Sequence, residues 1–324
     1  MTGRWSGFRA ALAGSVKQQG ILYAFILFLA GVAVAYPTVL SIGNVLTVVQ
    51  QVSIIGVMAL GVTFVVIGGQ LDLSVGSLLS LTTVMVVGLH DKVGPLPAML
   101  IMFAAAALVG AFNGFLVGYL KLNSLIVTLG MLSALQGITF LYSGGNNVNI
   151  QNPNQTWFAV FGRDFVFHVP VPMIIFLGLA AVLGVLLHRT GYGRRVFAVG
   201  GNPTASSYSG VRSSRIIFTT FMISALCTGV AAVILGSRVM GSQNTVGQGY
   251  ELQVLAAIIL GGTSLLGGAG SMFKTVIGVL ILGFIQNALL LLGFAYYVQW
   301  LVTWFVIIVA VWFDVASKRG RLWA

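Results

Sequence analysis

Hydrophobic residues in this chain run in long stretches that polar and charged residues seldom interrupt. Lys17 and Asp72 enclose 54 residues without a charged side chain, and Lys274 and Asp314 enclose 39. An α-helix needs about 20 apolar residues to cross the roughly 30 Å hydrocarbon layer of a membrane. Each stretch is therefore long enough for two crossings, and the pattern predicts a protein that spans a membrane several times.

The spanning segments are expected to be α-helices, because backbone groups in lipid must find hydrogen-bond partners within their own segment. A membrane β-barrel would alternate apolar and polar residues over segments of about ten, and residues 277–285 show no such alternation. We predict an all-α, polytopic membrane protein with about ten transmembrane helices and broken, glycine-interrupted segments. The predicted spans are 21–36, 52–67, 73–89, 96–120, 124–142, 169–187, 216–235, 252–262, 272–292 and 298–313.

Composition supports this fold class, and the distribution of charge predicts the orientation. Charged residues make up 6% of the chain, whereas about a quarter of a soluble domain is charged. The net charge of +11 is explained by the enrichment of Lys and Arg in cytoplasmic loops, and no nucleic-acid partner is expected. With an uncleaved first span and a cytoplasmic N-terminus, 13 of the 16 Lys and Arg residues lie on the cytoplasmic side.

This orientation predicts one transmembrane domain, 1–324, in a bacterial inner membrane, surrounded by lipid and with both termini in the cytoplasm. Its polar parts alternate between the two sides of the membrane. They are a cytoplasmic N-terminal segment at 1–20, a periplasmic Asn-rich loop at 143–168, a basic cytoplasmic loop at 188–215 and a cytoplasmic tail at 314–324.

Two glycine-rich breaks interrupt the hydrophobic pattern, at 68–77 and at 261–271. Such breaks expose backbone groups that line a solute path in transporters. Asp72 in the first break either caps the following helix or contacts a solute. Uncharged polar residues nearby suit hydrogen bonds to a neutral sugar, and they suit bonds between helices equally well. The candidates for the solute path are Asp72, Ser74, Gln50, Gln51, Asn113, Gln286 and Asn287.

A different glycine pattern lies inside the span 96–120. Gly110, Gly114 and Gly118 recur at four-residue spacing and share one face of the helix. Small residues at this spacing let two membrane helices approach closely. We expect this face to pack against another helix and not to bind a ligand.

The sequence lacks the residue spacings of a catalytic or metal site. Its five acidic residues are scattered, and Cys227 is the single cysteine, so it holds no disulfide framework. A Walker A loop requires glycine before its Lys-Ser/Thr pair, whereas Phe273 precedes Lys274-Thr275 here. We therefore expect no enzyme activity and no cofactor bound by this chain.

Three stretches, 61–77, 199–211 and 249–268, resemble the permeases of ribose-type ABC sugar importers, in the same order and over most of the chain. The resemblance implies a monosaccharide permease with alternating access, driven by ATP on a separate cytosolic ATP-binding subunit. It also implies a periplasmic sugar-binding protein and a second permease subunit, either identical or different. The basic cytoplasmic loop 188–215, which contains the second of these stretches, has room for one short helix beginning near Asn202. The residues implied in coupling to the ATPase are Gly200, Gly201, Asn202, Pro203, Ala205 and Gly210.

Some positions depart from the pattern of this family and leave the identity of the sugar open. Thr204 stands where a Glu is usual, Gln253 where an Asp is usual, and Ala269 where a basic residue is common. A branched-chain amino acid-type ABC permease is the nearest alternative, although its zwitterionic substrate would favour paired charges along the path. An ion-coupled secondary transporter is a further alternative, and it would favour charged residues within the spans.

Overall fold

A computed structural model describes residues 26, 29–34, 36–295, 297–302, 304, 305 and 308. The fold is 76% helical with almost no strand. The helices are α1 (Ile42–Ile67), α2 (Val75–Val93), α3 (Pro95–Gly118), α4 (Ser124–Ser143), α5 (Val160–Arg163), α6 (Val171–Arg189), α7 (Gly191–Gly201), α8 (Pro203–Tyr208), α9 (Ser213–Val239), α10 (Tyr250–Leu260) and α11 (Met272–Leu291), with short 3-10 helices at Pro37–Leu40 and Trp157–Ala159.

Within the described residues, six helices are long and apolar enough to cross a membrane: α1, α3, α4, α6, α9 and α11. The 19-residue α2 is largely buried and carries polar residues on its buried positions, among them Ser80 and Thr83. The predicted span 252–262 corresponds to α10, but the 11 residues of α10 rise only about 16 Å, too little to cross a membrane alone. The count of about ten spans is therefore not confirmed.

Several predictions at the two ends of the chain fall outside the described residues. The segment 1–20 and the tail 314–324 lie there entirely, and so do many residues of the predicted spans 21–36 and 298–313. Where boundaries can be compared, α1, α2, α4 and α9 are longer than predicted. For example, α1 begins at Ile42 and not at residue 52, because Ser41 caps it by accepting a hydrogen bond from the backbone N–H of Asn44.

Helices α1 and α9 form the centre of the bundle. Of the most apolar part of each helix, 72% is buried in α1 and 67% in α9, against 22% in α4 and in α6. The predicted glycine face of α3 packs against α9, as expected. A Cβ atom at Gly110 would lie 2.7 Å from the Ala225 Cβ, and one at Gly118 would lie 2.7 Å from the Ser214 carbonyl oxygen.

The loop 143–168 folds onto the end of the bundle where α2 ends and α3 begins. Its strand β1 (Val148–Asn149) pairs antiparallel with β4 (Gly241–Ser242), and β2 (Phe165–Val166) pairs antiparallel with β3 (Val169–Pro170). The Asp91 carboxylate accepts a hydrogen bond from the Gln151 backbone N–H at 2.8 Å. These contacts give the loop a defined structure.

Candidate functional site

The first break ends in a buried polar network between α2, α3 and α9. The Asp72 side chain is 3% exposed, and its Oδ1 accepts hydrogen bonds from the Ser74 backbone N–H at 3.1 Å and the Ser74 hydroxyl at 2.6 Å. Its Oδ2 accepts a hydrogen bond from the Ser224 hydroxyl at 2.9 Å. Asn113 donates to the Ser74 Oγ at 3.0 Å. The Asp72 carboxylate therefore accepts three hydrogen bonds, two from Ser74 and one from Ser224.

Three predicted path residues, Asp72, Ser74 and Asn113, thus lie together. The contact from Asp72 to the Ser74 backbone N–H is an Asx-type turn just before α2, whose N-cap is Ser74 and carries no side-chain capping hydrogen bond. Ser224 was missed, because nothing in the sequence separates it from the other small polar residues of α9. We call these four residues the Asp72 network.

The second break meets the first at a contact made of backbone atoms. The Gly268 N–H donates a hydrogen bond to the Ile67 carbonyl oxygen at 2.8 Å. A Cβ atom on Gly267 would lie 2.7 Å from the Gly200 oxygen and 2.7 Å from the Gly69 Cα, closer than real Cβ atoms approach. The glycine junction, as we call it, consists of Gly69, Gly200, Gly201, Gly267 and Gly268.

The glycine junction joins both breaks to the loop 188–215, so these three segments lie at the same end of the bundle, as the sequence predicted. The loop contains two helices, whereas one was predicted. Helix α8 begins as expected after Asn202, whose Oδ1 accepts a hydrogen bond from the Ala205 N–H at 2.9 Å. Helix α7 was missed, although Thr190 caps it by accepting from the Gly193 N–H at 3.3 Å.

The predicted coupling residues form a continuous segment. Gly200 and Gly201 end α7 in the junction, Pro203 and Ala205 lie in α8, and Gly210 follows in a turn at φ +79°. The surface of α8 is exposed apart from Ser206, and the Tyr208 side chain is 88% exposed. An open groove of about 890 Å³ runs beside it. The groove is lined by Tyr119, Lys121, Pro203, Thr204, Ser207, Tyr208, Gly210, Val211 and the residues 212–215.

A second cavity, of about 310 Å³, lies between α1, α9, α10 and α11. It brings together two predicted path residues, Gln51 and Gln286, with Gln253, which was missed. The Gln286 side chain donates to the Gln253 Oε1 at 3.4 Å. The sequence criterion of uncharged polar residues near a break would have selected Gln253 as well. The lining consists of Gln51, Val52, Ile54, Ile55, Leu235, Arg238, Val239, Tyr250, Gln253, Gly283 and Gln286.

The remaining predicted path residues, Gln50 and Asn287, make contacts between segments of the fold. Gln50 donates to the Gly162 carbonyl oxygen at 3.2 Å. Asn287 and Asn44 exchange two amide hydrogen bonds, at 2.8 Å and 3.1 Å. In the part of the chain that the structure describes, no group of three His, Cys, Asp or Glu side chains could hold a metal ion.

Comparisons with known proteins agree over nearly the whole chain. The family described as Branched-chain amino acid transport system / permease component matches residues 44–311. The chain is 37% identical to the ribose import permease protein of Bacillus subtilis, over 93% of this chain and 94% of that protein. It is also 37% identical to the ribose import permease protein of Escherichia coli K12, over 95% of this chain and 97% of that protein.

A relative named for another sugar is also similar over nearly the whole chain. The chain is 33% identical to the L-arabinose transport system permease protein of Escherichia coli K12, over 94% of this chain and 92% of that protein. No solved structure matches the chain significantly. On the evidence of the family match and these relatives, the chain belongs to this permease family and, within it, to the ribose-type ABC sugar permeases.

Proposed function

We propose that this chain is the inner-membrane permease subunit of an ABC importer that admits a monosaccharide. The observation that carries the proposal is the similarity, over more than nine tenths of the chain, to permeases named for ribose and L-arabinose. The family description mentions branched-chain amino acids, but the relatives at 33–37% identity favour a sugar. The chain is a transport component and not an enzyme.

A permease of this kind works with an ATP-binding subunit and a binding protein. We place the ATP-binding subunit in the cytoplasm and the sugar-binding protein in the periplasm, and a second permease subunit completes the path. Basic residues support this orientation, because Arg189, Arg194, Arg195, Arg212 and Arg215 all lie at the end of the bundle that carries the glycine junction. Both termini would then be cytoplasmic.

The exposed helix α8 is the proposed docking element for the ATP-binding subunit. Exposed aromatic side chains beside a groove are typical centres of protein interfaces, and Tyr208 fits this description. Helix α8 follows Gly200 and Gly201, whose backbone lies against the first break at Gly69 and against the second at Gly267 and Gly268. A displacement of α8 by the ATPase would therefore reach both breaks directly, which alternating access requires.

The buried carboxylate of Asp72 does not favour an ion-coupled mechanism. Both of its oxygens already accept hydrogen bonds from Ser74 and Ser224. A residue satisfied in this way is suited to joining helices more than to releasing and rebinding an ion. This supports the ABC importer over the secondary transporter.

The docking proposal is tested with Ala205→Glu and Tyr208→Ala in the complete transporter. Ala205 is exposed in the first turn of α8, where a Glu favours the helix, so loss of function would report docking and not misfolding. We expect less ATP-binding subunit to co-purify with each variant and sugar uptake to fall at least about tenfold, while the amount in the membrane stays normal.

The matched control is Phe167→Ala, because Phe167 is 95% exposed in the loop 143–168, far from α8 in the fold. It should retain the ATP-binding subunit fully. If Ala205→Glu and Tyr208→Ala also retain it, the subunit docks elsewhere.

A further inference from the structure

The cavity between α1, α9, α10 and α11 has an unusually polar lining for a membrane protein, and it opens to the surface at Gln51, which is exposed. Gln51, Gln253 and Gln286 bring three carboxamides to it, and Arg238 and Tyr250 add a guanidinium and a phenol. Apart from the 3.4 Å contact between Gln286 and Gln253, the carboxamides retain donors and acceptors for another partner. Polar groups are costly within a bilayer unless they meet a partner or a water-filled cavity. Their convergence therefore indicates a place where a polar solute is held.

The geometry points to this cavity as the site where the permease contacts the transported sugar, with Gln51, Gln253 and Gln286 as the residues that determine its specificity. The inference rests on the proposed function and adds the substrate contacts to it. The cavity volume of about 310 Å³ lies at the small end of the range for ligand sites, which suits a single monosaccharide.

The chemistry of the lining selects the class of solute. A sugar hydroxyl both donates and accepts hydrogen bonds, and a carboxamide offers the same two functions. Arg238 adds donors for hydroxyl or ring oxygens. The lining, all of it within the described residues, contains no acidic side chain to pair with the ammonium group of an amino acid. It therefore favours a neutral, polyhydroxylated solute over a zwitterion.

Two pairs of neighbouring residues show which polar side chains line the cavity and which form contacts between segments of the fold. Gln51 lines the cavity, whereas Gln50 bonds to the Gly162 carbonyl. Gln286 lines it likewise, whereas Asn287 bonds to Asn44. Each pair offers one polar residue directed to the cavity and a neighbour of similar chemistry engaged elsewhere, so each pair contains its own control.

The test replaces Gln253 and Gln286 individually with Leu, which is similar in size and inserts readily into a membrane. Uptake of radiolabelled D-ribose, L-arabinose and L-leucine is measured in cells that express the complete transporter. We expect uptake of the transported sugar to fall about fivefold for each lost hydrogen bond, and the ratio of ribose to arabinose uptake to change. A variant that merely folds less well would lower both sugars equally, so the ratio separates contact from packing.

A labelling experiment covers the case in which a Leu variant fails to fold. Because the chain has one cysteine and Cys227 is buried, Gln253→Cys and Gln50→Cys can each be labelled with a membrane-impermeant methanethiosulfonate reagent. Ribose or arabinose should slow the labelling at position 253 and leave the rate at position 50 unchanged.

The outcomes separate the inference from the function on which it rests. If Gln253→Leu and Gln286→Leu change neither the rate of sugar uptake nor the ratio of ribose to arabinose uptake, the cavity is not the sugar site, and the proposed importer function is unaffected. Equal protection of both cysteines by sugar would lead to the same conclusion. Uptake of L-leucine alone by the wild-type transporter would overturn the proposed function together with the cavity.

Discussion

The two glycine-rich breaks look alike in the sequence, but they are held in place by different forces. The first, 68–77, is tied to α3 and α9 through the side chains of the Asp72 network. The second, 261–271, meets its neighbours through backbone atoms at Gly267 and Gly268. Glycine therefore serves two purposes here: it lets a polar turn enter the bundle in one case, and it lets two backbones touch in the other.

This difference suggests which break is fixed and which transmits motion. A buried carboxylate with three hydrogen bonds is costly to separate from its partners, because each group would be left unsatisfied in the protein interior. Backbones in contact without interlocking side chains have fewer contacts to break when they shift. We infer that the Asp72 network is the fixed point of the permease and the glycine junction its moving contact.

The largest expected effect is at the junction, with Gly267→Ala. A new Cβ would collide with Gly200 and Gly69, so the contact between α7 and both breaks would open. The control is Gly262→Ala, because Gly262 has a similar positive φ, +78° against +82°, but has no neighbour within 4 Å. Both variants lose about 1–2 kcal/mol from the left-handed backbone, and only Gly267→Ala should nearly abolish sugar uptake.

Uptake, and ATP hydrolysis stimulated by the binding protein, are measured at equal amounts of transporter in the membrane. An intact permease with uncoupled ATP hydrolysis is expected for Gly267→Ala. If the two alanine variants transport equally well, the junction does not transmit the movement of the ATPase.

The next effect is on stability, at Asp72. In Asp72→Ala the Ser74 N–H and two hydroxyl groups lose their acceptor, and we expect a loss of about 2–4 kcal/mol in the free energy of unfolding. Asp72→Asn keeps the shape and one acceptor oxygen, so its loss should be about 1 kcal/mol. Unfolding by SDS in mixed micelles, followed by tryptophan fluorescence, measures both values. A drop in uptake without a drop in stability would instead indicate that Asp72 contacts the solute.

Much of the architecture could be predicted from hydropathy and charge alone. The long apolar helices, the glycine face of α3 and the cap at Asn202 all follow from local rules that the structure obeys. The segment 252–262 shows where hydropathy fails. The stretch has the composition of a span, but α10 runs only from Gly249 at its N-cap to Gly261 at its C-cap, 11 residues in all. Hydropathy measures how apolar a segment is, and it does not report where the chain turns.

The candidate site was harder to predict, because its residues are brought together by packing between distant helices. Asp72, Ser74 and Asn113 were selected as polar interruptions, but their mutual contacts depend on how α2 and α3 are placed. Gln50 and Gln51 are identical in type and adjacent, and only the rotation of α1 about its axis directs one to the cavity. The pattern of residues along the sequence does not reveal how α1 is rotated about its axis.

The smallest effect comes from Ser224→Ala, which removes one hydroxyl from the fixed point. Its hydrogen bond crosses from α9 to the carboxylate of Asp72, so we expect a loss of about 1 kcal/mol in the free energy of unfolding. The control is Ser53→Ala, because Ser53 is equally buried but donates to the Val49 carbonyl oxygen within its own helix. That bond joins no two segments and should be worth less than about 0.5 kcal/mol. A difference near 1 kcal/mol between the two variants would measure what one hydroxyl contributes to holding the first break, and equal losses would show that the network is not what fixes it.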